Sequence, residues 1–148
     1  MSIFSSFNIN ASGMTAQRYR MDIISENVAN ANTTRTEDGT PYRRKVVTFE
    51  QRGEAAGSFR SIFGSVSDSY KGQGVRVNKV SEDTWNDMIM AYDPSHPDAD
   101  ENGYVTYPNV NIVTEMTNLI DASRSYEANA TAFNASKTIA MKGLEMSQ

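Results

Sequence analysis

The sequence predicts a mainly α fold with a small β-rich insert, in which N- and C-terminal helices pair as a coiled coil and a strand-rich middle domain lies between them. Three observations carry this prediction. Phe7, Met14, Met21 and Val28 recur every seven residues. Ile112 to Leu144 carries a stripe that steps by alternating four and three. Val75-Arg76-Val77-Asn78-Lys79-Val80 alternates with the period of a strand. The 148 residues therefore divide into a discontinuous helical core domain, 1–34 with 108–148, and a β-rich middle domain, 35–107.

In the N-terminal helix, Asn10, Gln17 and Ile24 fill the seam positions three residues after Phe7, Met14 and Met21, so the seam is partly polar. Gly13 and the many Asn and Ser residues lower intrinsic helix propensity, and such a helix needs a partner to hold it. Met14, Met21, Ile24 and Val28 are its candidate packing residues. Asn30-Ala31-Asn32-Thr33-Thr34 ends the pattern, because these side chains compete locally for backbone hydrogen bonds.

The C-terminal stripe comprises Ile112, Met116, Leu119, Ser123, Tyr126, Ala130, Phe133, Lys137, Ala140 and Leu144. At about 1.5 Å per residue the helix is roughly 50 Å long, too long to bury its stripe inside a domain of this size. Leu119, Tyr126 and Phe133 are the candidate contacts of this stripe. A second apolar set, Val113, Ile120, Ala128, Ile139 and Met141, widens the face and points to more than one neighbour.

Between the helices, Tyr42 to Phe49 reads as a first strand after the turn Gly39-Thr40-Pro41, and Asp87 to Tyr92 as a third. Gly53, Gly57, Gly64, Gly72 and Gly74 with few large apolar residues predict a mobile loop near 53–74.

Composition excludes several functions. A net charge of −4 and a pI near 5.0 give no general attraction to nucleic acid or to anionic membranes. The one basic cluster, Arg43-Arg44-Lys45, reads as a solvated strand or an interface. Without cysteine there is no thiol catalysis, thiolate zinc site or disulfide. No run approaches the roughly 20 apolar residues of a membrane span, and MSIFSSFNINASGM lacks the pattern of a cleaved leader. The single histidine, His96, lies between prolines with no partner motif. No phosphate-cradling glycine loop precedes a helix, so neither catalysis nor a cofactor is expected.

The stretch DPSHPDADENGYVTYPNV, from Asp93 to Val110, admits two readings. Asp98-x-Asp100-x-Asn102-Gly103 begins like a calcium loop, which allows a calcium-responsive coiled-coil adaptor as the alternative function. The bidentate carboxylate would then fall at Asn109, an amide, directly after Pro108. The other reading is a stiff elbow: Pro94, Pro97 and Pro108 restrict the backbone, Gly103 permits a positive φ, and Asn109 or Asn111 caps the long helix.

Asn27-Val28-Ala29-Asn30-Ala31-Asn32-Thr33 resembles the asparagine-rich motif of the flagellar rod and hook axial proteins. Tyr92 to Val105, Tyr107-Pro108-Asn109-Val110-Asn111, Glu115-Met116, Ala122 to Tyr126 and Asn129 resemble the proximal-rod branch of that family. The resemblance implies a non-enzymatic structural subunit of the basal body, assembling with itself and other rod subunits into a tube around the export channel. It also implies contact with basal-body components at the rod base and export by the flagellar type III apparatus without signal cleavage. The implied location is the rod crossing the periplasm, with neither nucleic acid nor membrane insertion involved. Asn27, Asn30 and Asn32 are expected to end the first helix and meet neighbours.

Overall fold

A computed structural model describes residues 3–52 and 74–146 of the chain. In order these form α1 (Ile3–Ala29), β1 (Lys45–Gln51), β2 (Val75–Glu82), β3 (Ile89–Tyr92), β4 (Tyr104–Tyr107) and α2 (Ile112–Glu145). The predicted pairing of the terminal helices is present, and small two-stranded sheets lie in the middle. The loop predicted near 53–74 lies outside the described residues but for Gly74.

The helices run antiparallel. Phe7 meets Phe133 edge-on with centroids 5.0 Å apart, and Asn27 reaches Glu115 at the other end. Midway, a Cβ on Gly13 would lie 2.7 Å from Asn129 Oδ1, so glycine leaves room there for the Asn129 side chain. Beside it Ala16 and Ala122 are buried. Small residues thus sit at the seam, with Leu119, Tyr126 and Phe133 half-buried along it.

Only one of the two seam rows predicted for α2 faces α1. Leu119, Tyr126 and Phe133 do, but they alternate with Glu115, Ala122 and Asn129, one position before the expected Met116, Ser123 and Ala130. Met116 is 55% exposed. In α1 the row Gln17 and Ile24 alternates with Gly13, Arg20 and Asn27, again one position before Met14, Met21 and Val28.

β1 and β2 pair antiparallel from Lys45↔Glu82 to Gln51↔Val75, with a bulge between Thr48 and Phe49. The first strand thus starts three residues later than the sequence suggested. Tyr42 to Arg44 are drawn off the sheet by bonds to the helices, described below. β3 and β4 form a second hairpin, Ile89↔Tyr107 to Tyr92↔Tyr104. The third strand is shorter than predicted, and β4 was not predicted as a strand. Val105 of β4 is fully buried, which contributes roughly 2 kcal/mol by removing its side chain from water. All four residues of β3 are exposed.

Candidate assembly interface and its polar junction

The region where α1 ends, β1 begins and α2 starts is held by a buried polar knot. Asn27 is fully buried, and its amide meets all four of its hydrogen-bonding positions. Nδ2 donates to Lys45 O at 2.9 Å and to Glu115 Oε2 at 3.0 Å. Oδ1 accepts from the Tyr42 hydroxyl at 2.9 Å and from Lys45 N at 2.8 Å. Glu115, also fully buried, receives Arg44 through Nε at 3.0 Å and Nη2 at 2.8 Å, both on Oε1, and Asn118 Nδ2 at 3.2 Å. A buried carboxylate is tolerated because a guanidinium and two amides satisfy it.

The knot extends into the link between the sheets. Arg44 Nη1 lies 3.4 Å from Asp83 Oδ2, and Arg44 N donates to Asn109 Oδ1 at 2.9 Å. Asn109 Nδ2 in turn donates to Asp83 O and Asn86 O at 2.9 and 3.0 Å. The Asn86 side-chain amide, 2.7 Å from Asp83 Oδ2, is the main cause holding the Asp83 carboxyl below the usual carboxylate range; the amides of Asn86 and Trp85 and the Arg44 guanidinium add to it. Burial pushes the Tyr42 phenol up to about 12, helped by the negative charges of Glu26, Glu115 and Glu82.

The elbow residues separate into two places. Pro94, Pro97 and Gly103 belong to the β3–β4 hairpin loop, whereas Pro108 and Asn109 are buried in the short link into α2. Gly103 has φ +80°, a conformation costly for other residues, and packs under Tyr92. Asn111, not Asn109, caps α2, its side chain accepting from Thr114 N at 3.1 Å. The loop carboxylates serve the chain itself. Asp98 accepts from the Thr34 hydroxyl at 2.8 Å and faces Arg35, and Asp100 Oδ1 accepts from the amides of Asn102 and Tyr104. His96 Nδ1 accepts from Asp98 N at 3.1 Å, and its ring meets Tyr107.

Asn27 lies in the last turn of α1, with its side chain in the knot. Asn30 folds back on Glu26 O at 2.9 Å and accepts the Thr33 hydroxyl, which closes the helix, and Asn32 is exposed. Met14, Met21 and Val28 are half-buried and Ile24 is 5% exposed. The knot was not foreseen from the sequence, where Arg44 read as surface charge and Glu115 as a favourable charge near the helix N-terminus. The available signal was a polar residue recurring on the inner row of each helix.

Outside the knot, α2 leaves a broad apolar surface uncovered. Val113, Met116, Ile120, Ile139 and Met141 are all more than half exposed. No helix among the described residues is long and apolar enough to cross a membrane. Large apolar side chains left in water on a helix gain free energy when something covers them.

Comparison with known proteins fits such a face. The family described as "Flagella basal body rod protein" matches residues 7–35, and "Flagellar basal body rod FlgEFG protein C-terminal" matches residues 101–146. The flagellar basal-body rod protein FlgC of Bacillus subtilis is 47% identical over 152 aligned positions, covering 99% of both chains. This chain belongs to the FlgC family of flagellar basal-body rod proteins. FlgC of Borreliella burgdorferi is 44% identical over 100% of this chain and 99% of its own, and that of Aquifex aeolicus 41% over 94% and 92%. The two matched segments contain most of α1 and all of α2, together with β4 and the link that carries Asn109. FlgC proteins are structural and non-enzymatic, so the geometry to be explained is one of packing rather than of catalysis.

Proposed function

We propose that this chain is a subunit of the proximal rod, where copies of it and other rod subunits pack through their helical faces into a rigid tubular shaft. The shaft transmits torque and surrounds the export channel. The chain reaches it through the flagellar type III export apparatus, and the rod stands on basal-body components at its base. The observation that carries this reading is the uncovered apolar face of α2 in a chain of the FlgC family. A helical tube needs heterologous contacts that do not close on themselves, so each subunit must offer apolar surface to several neighbours. The knot supplies the complementary property: directional polar bonds fix the angle between the helix pair and the sheets, so that load on one reaches the other.

The test is a strain whose sole copy carries Met116→Asp and Ile120→Asp, both on the outer side of α2. The expected outcome is an exported protein with no rods and no swimming. Normal basal bodies in that strain would remove α2's outer side from the assembly.

A further inference from the structure

A groove between α1, β1 and the start of α2 is lined by Arg20, Ile23, Val46, Val47, Phe49 and Asn118. Deeper in it Arg44 and Lys45 are already paired, with Glu115 and Glu26. Arg20 is half-buried and has no hydrogen bond or ion pair among the described residues. A cation set without a counter-charge beside apolar walls calls for an occupant with both a carboxylate and a large apolar group.

The chain itself carries such a segment. Between Lys79 and Arg124 there are nine Asp and Glu residues and no Lys or Arg. Most are engaged internally, as Asp83, Asp98, Asp100 and Glu115 are in the bonds described above. Asp87 is exposed, with no partner among the described residues. It stands among large exposed apolar residues: Trp85 at 94%, Ile89 at 53% and Met90 at 62%. A tryptophan this exposed is a strong mark of a contact surface, since its indole gains most from being covered. At that exposure it is not filling the groove of its own chain.

We propose that Trp85 and Asp87 of one copy dock into this groove on a neighbouring copy, the indole against Ile23, Val46 and Phe49 and the carboxylate on Arg20. The occupant is a second copy because one chain carries both halves, an acidic apolar projection and a cationic apolar groove. Such a pair of unlike surfaces repeats head to tail, the kind of contact that builds an open helix. The inference rests on the rod-subunit reading and adds which surfaces meet between copies.

The chain has no cysteine, so an introduced one is unique. Two full-length versions with different tags, Arg20→Cys and Asp87→Cys, are produced together in a strain lacking the native copy, and isolated basal bodies are treated with a short bismaleimide. The expected product is a dimer carrying both tags. Rods that contain both versions but yield no mixed dimer, or yield cross-links to another rod protein instead, overturn the docking and leave the rod reading intact. Absence of the unsubstituted chain from basal bodies overturns the rod reading itself. If the cysteine versions do not assemble, charge exchange decides. Arg20→Glu and Asp87→Arg each shrink the swim ring several-fold, and the two together in one chain restore it; a double variant no better than the singles overturns the proposal.

Discussion

At the inner end of the helix pair, Asn27, Arg44 and Glu115 are drawn out of water and bonded within the chain; along the outer side of α2, Val113, Met116, Ile120, Ile139 and Met141 stand 53% to 74% exposed. The first region uses directional bonds, which admit one geometry and stay satisfied in a single subunit. The second uses apolar surface, which is indifferent to direction and remains costly until something covers it. The difference teaches that this subunit joins its helices and sheets through buried polar groups while leaving large apolar side chains of α2 in water.

The sharpest way to break that comparison is to remove the anion of the knot. Glu115→Ala leaves the Arg44 guanidinium and the Asn27 and Asn118 amides without their carboxylate, and unfolding in denaturant should show a loss of about 3 kcal/mol. An unchanged midpoint would mean that the knot does not hold the subunit. Asn27→Ala removes four bonds at once, those to Glu115, the Tyr42 hydroxyl and the two backbone groups of Lys45. A loss of about 2 kcal/mol is expected, since two donors and two acceptors lose this partner.

The next effect is on pH dependence. The Tyr42 phenol is raised from 10.0 to about 12 in the fold, so its contribution is full below pH 10 and is lost as the pH climbs from there through about 12. Tyr42→Phe should flatten this alkaline slope. Asp83 has the opposite sign: its carboxyl is lowered, so its contribution is present above 3.8 and lost as the pH falls through the lower folded value. Unfolding midpoints of Asp83→Asn across the acid range should be flatter than those of the parent. Smallest of all is the effect of Ile139→Ser, which should change the midpoint of the isolated chain by no more than about 0.5 kcal/mol. A large loss there would show that the outer side of α2 already serves the subunit's own stability.

The helices and their pairing were legible because a seven-residue recurrence survives a polar seam. Which face would be turned inward was only half legible. Gln17, Ile24, Leu119, Tyr126 and Phe133 do face the seam, but the row beside them is Gly13, Arg20, Asn27, Glu115, Ala122 and Asn129 rather than the larger apolar row one residue later. A search for hydrophobic periodicity selects the larger side chains, whereas close approach of two helices selects the small ones. β4 was missed because its four residues sit next to prolines and acids whose turn signals dominate. The polar positions on the inner rows could not by themselves be assembled into the knot, since its bonds join residues far apart in sequence: Asn27 with Glu115, Arg44 with Asp83. The elbow was located correctly as a stretch, but its prolines divide between a hairpin tip and the link into α2, a distinction that depends on a strand pairing no local pattern announces.

The two helices that need each other stand at opposite ends of the order of synthesis. α1 leaves the ribosome before any strand and α2 after all of them, and Glu115, which closes the knot, lies in the first turns of α2. Neither the helix pair nor the junction can therefore form until α2, the last of the described elements, has been made, however stable the finished subunit is. Contacts so distant in sequence form slowly as well. Throughout its synthesis the nascent chain is an open, partnerless α1 followed by small hairpins, and the time available for another molecule to hold it in that form is set by topology alone.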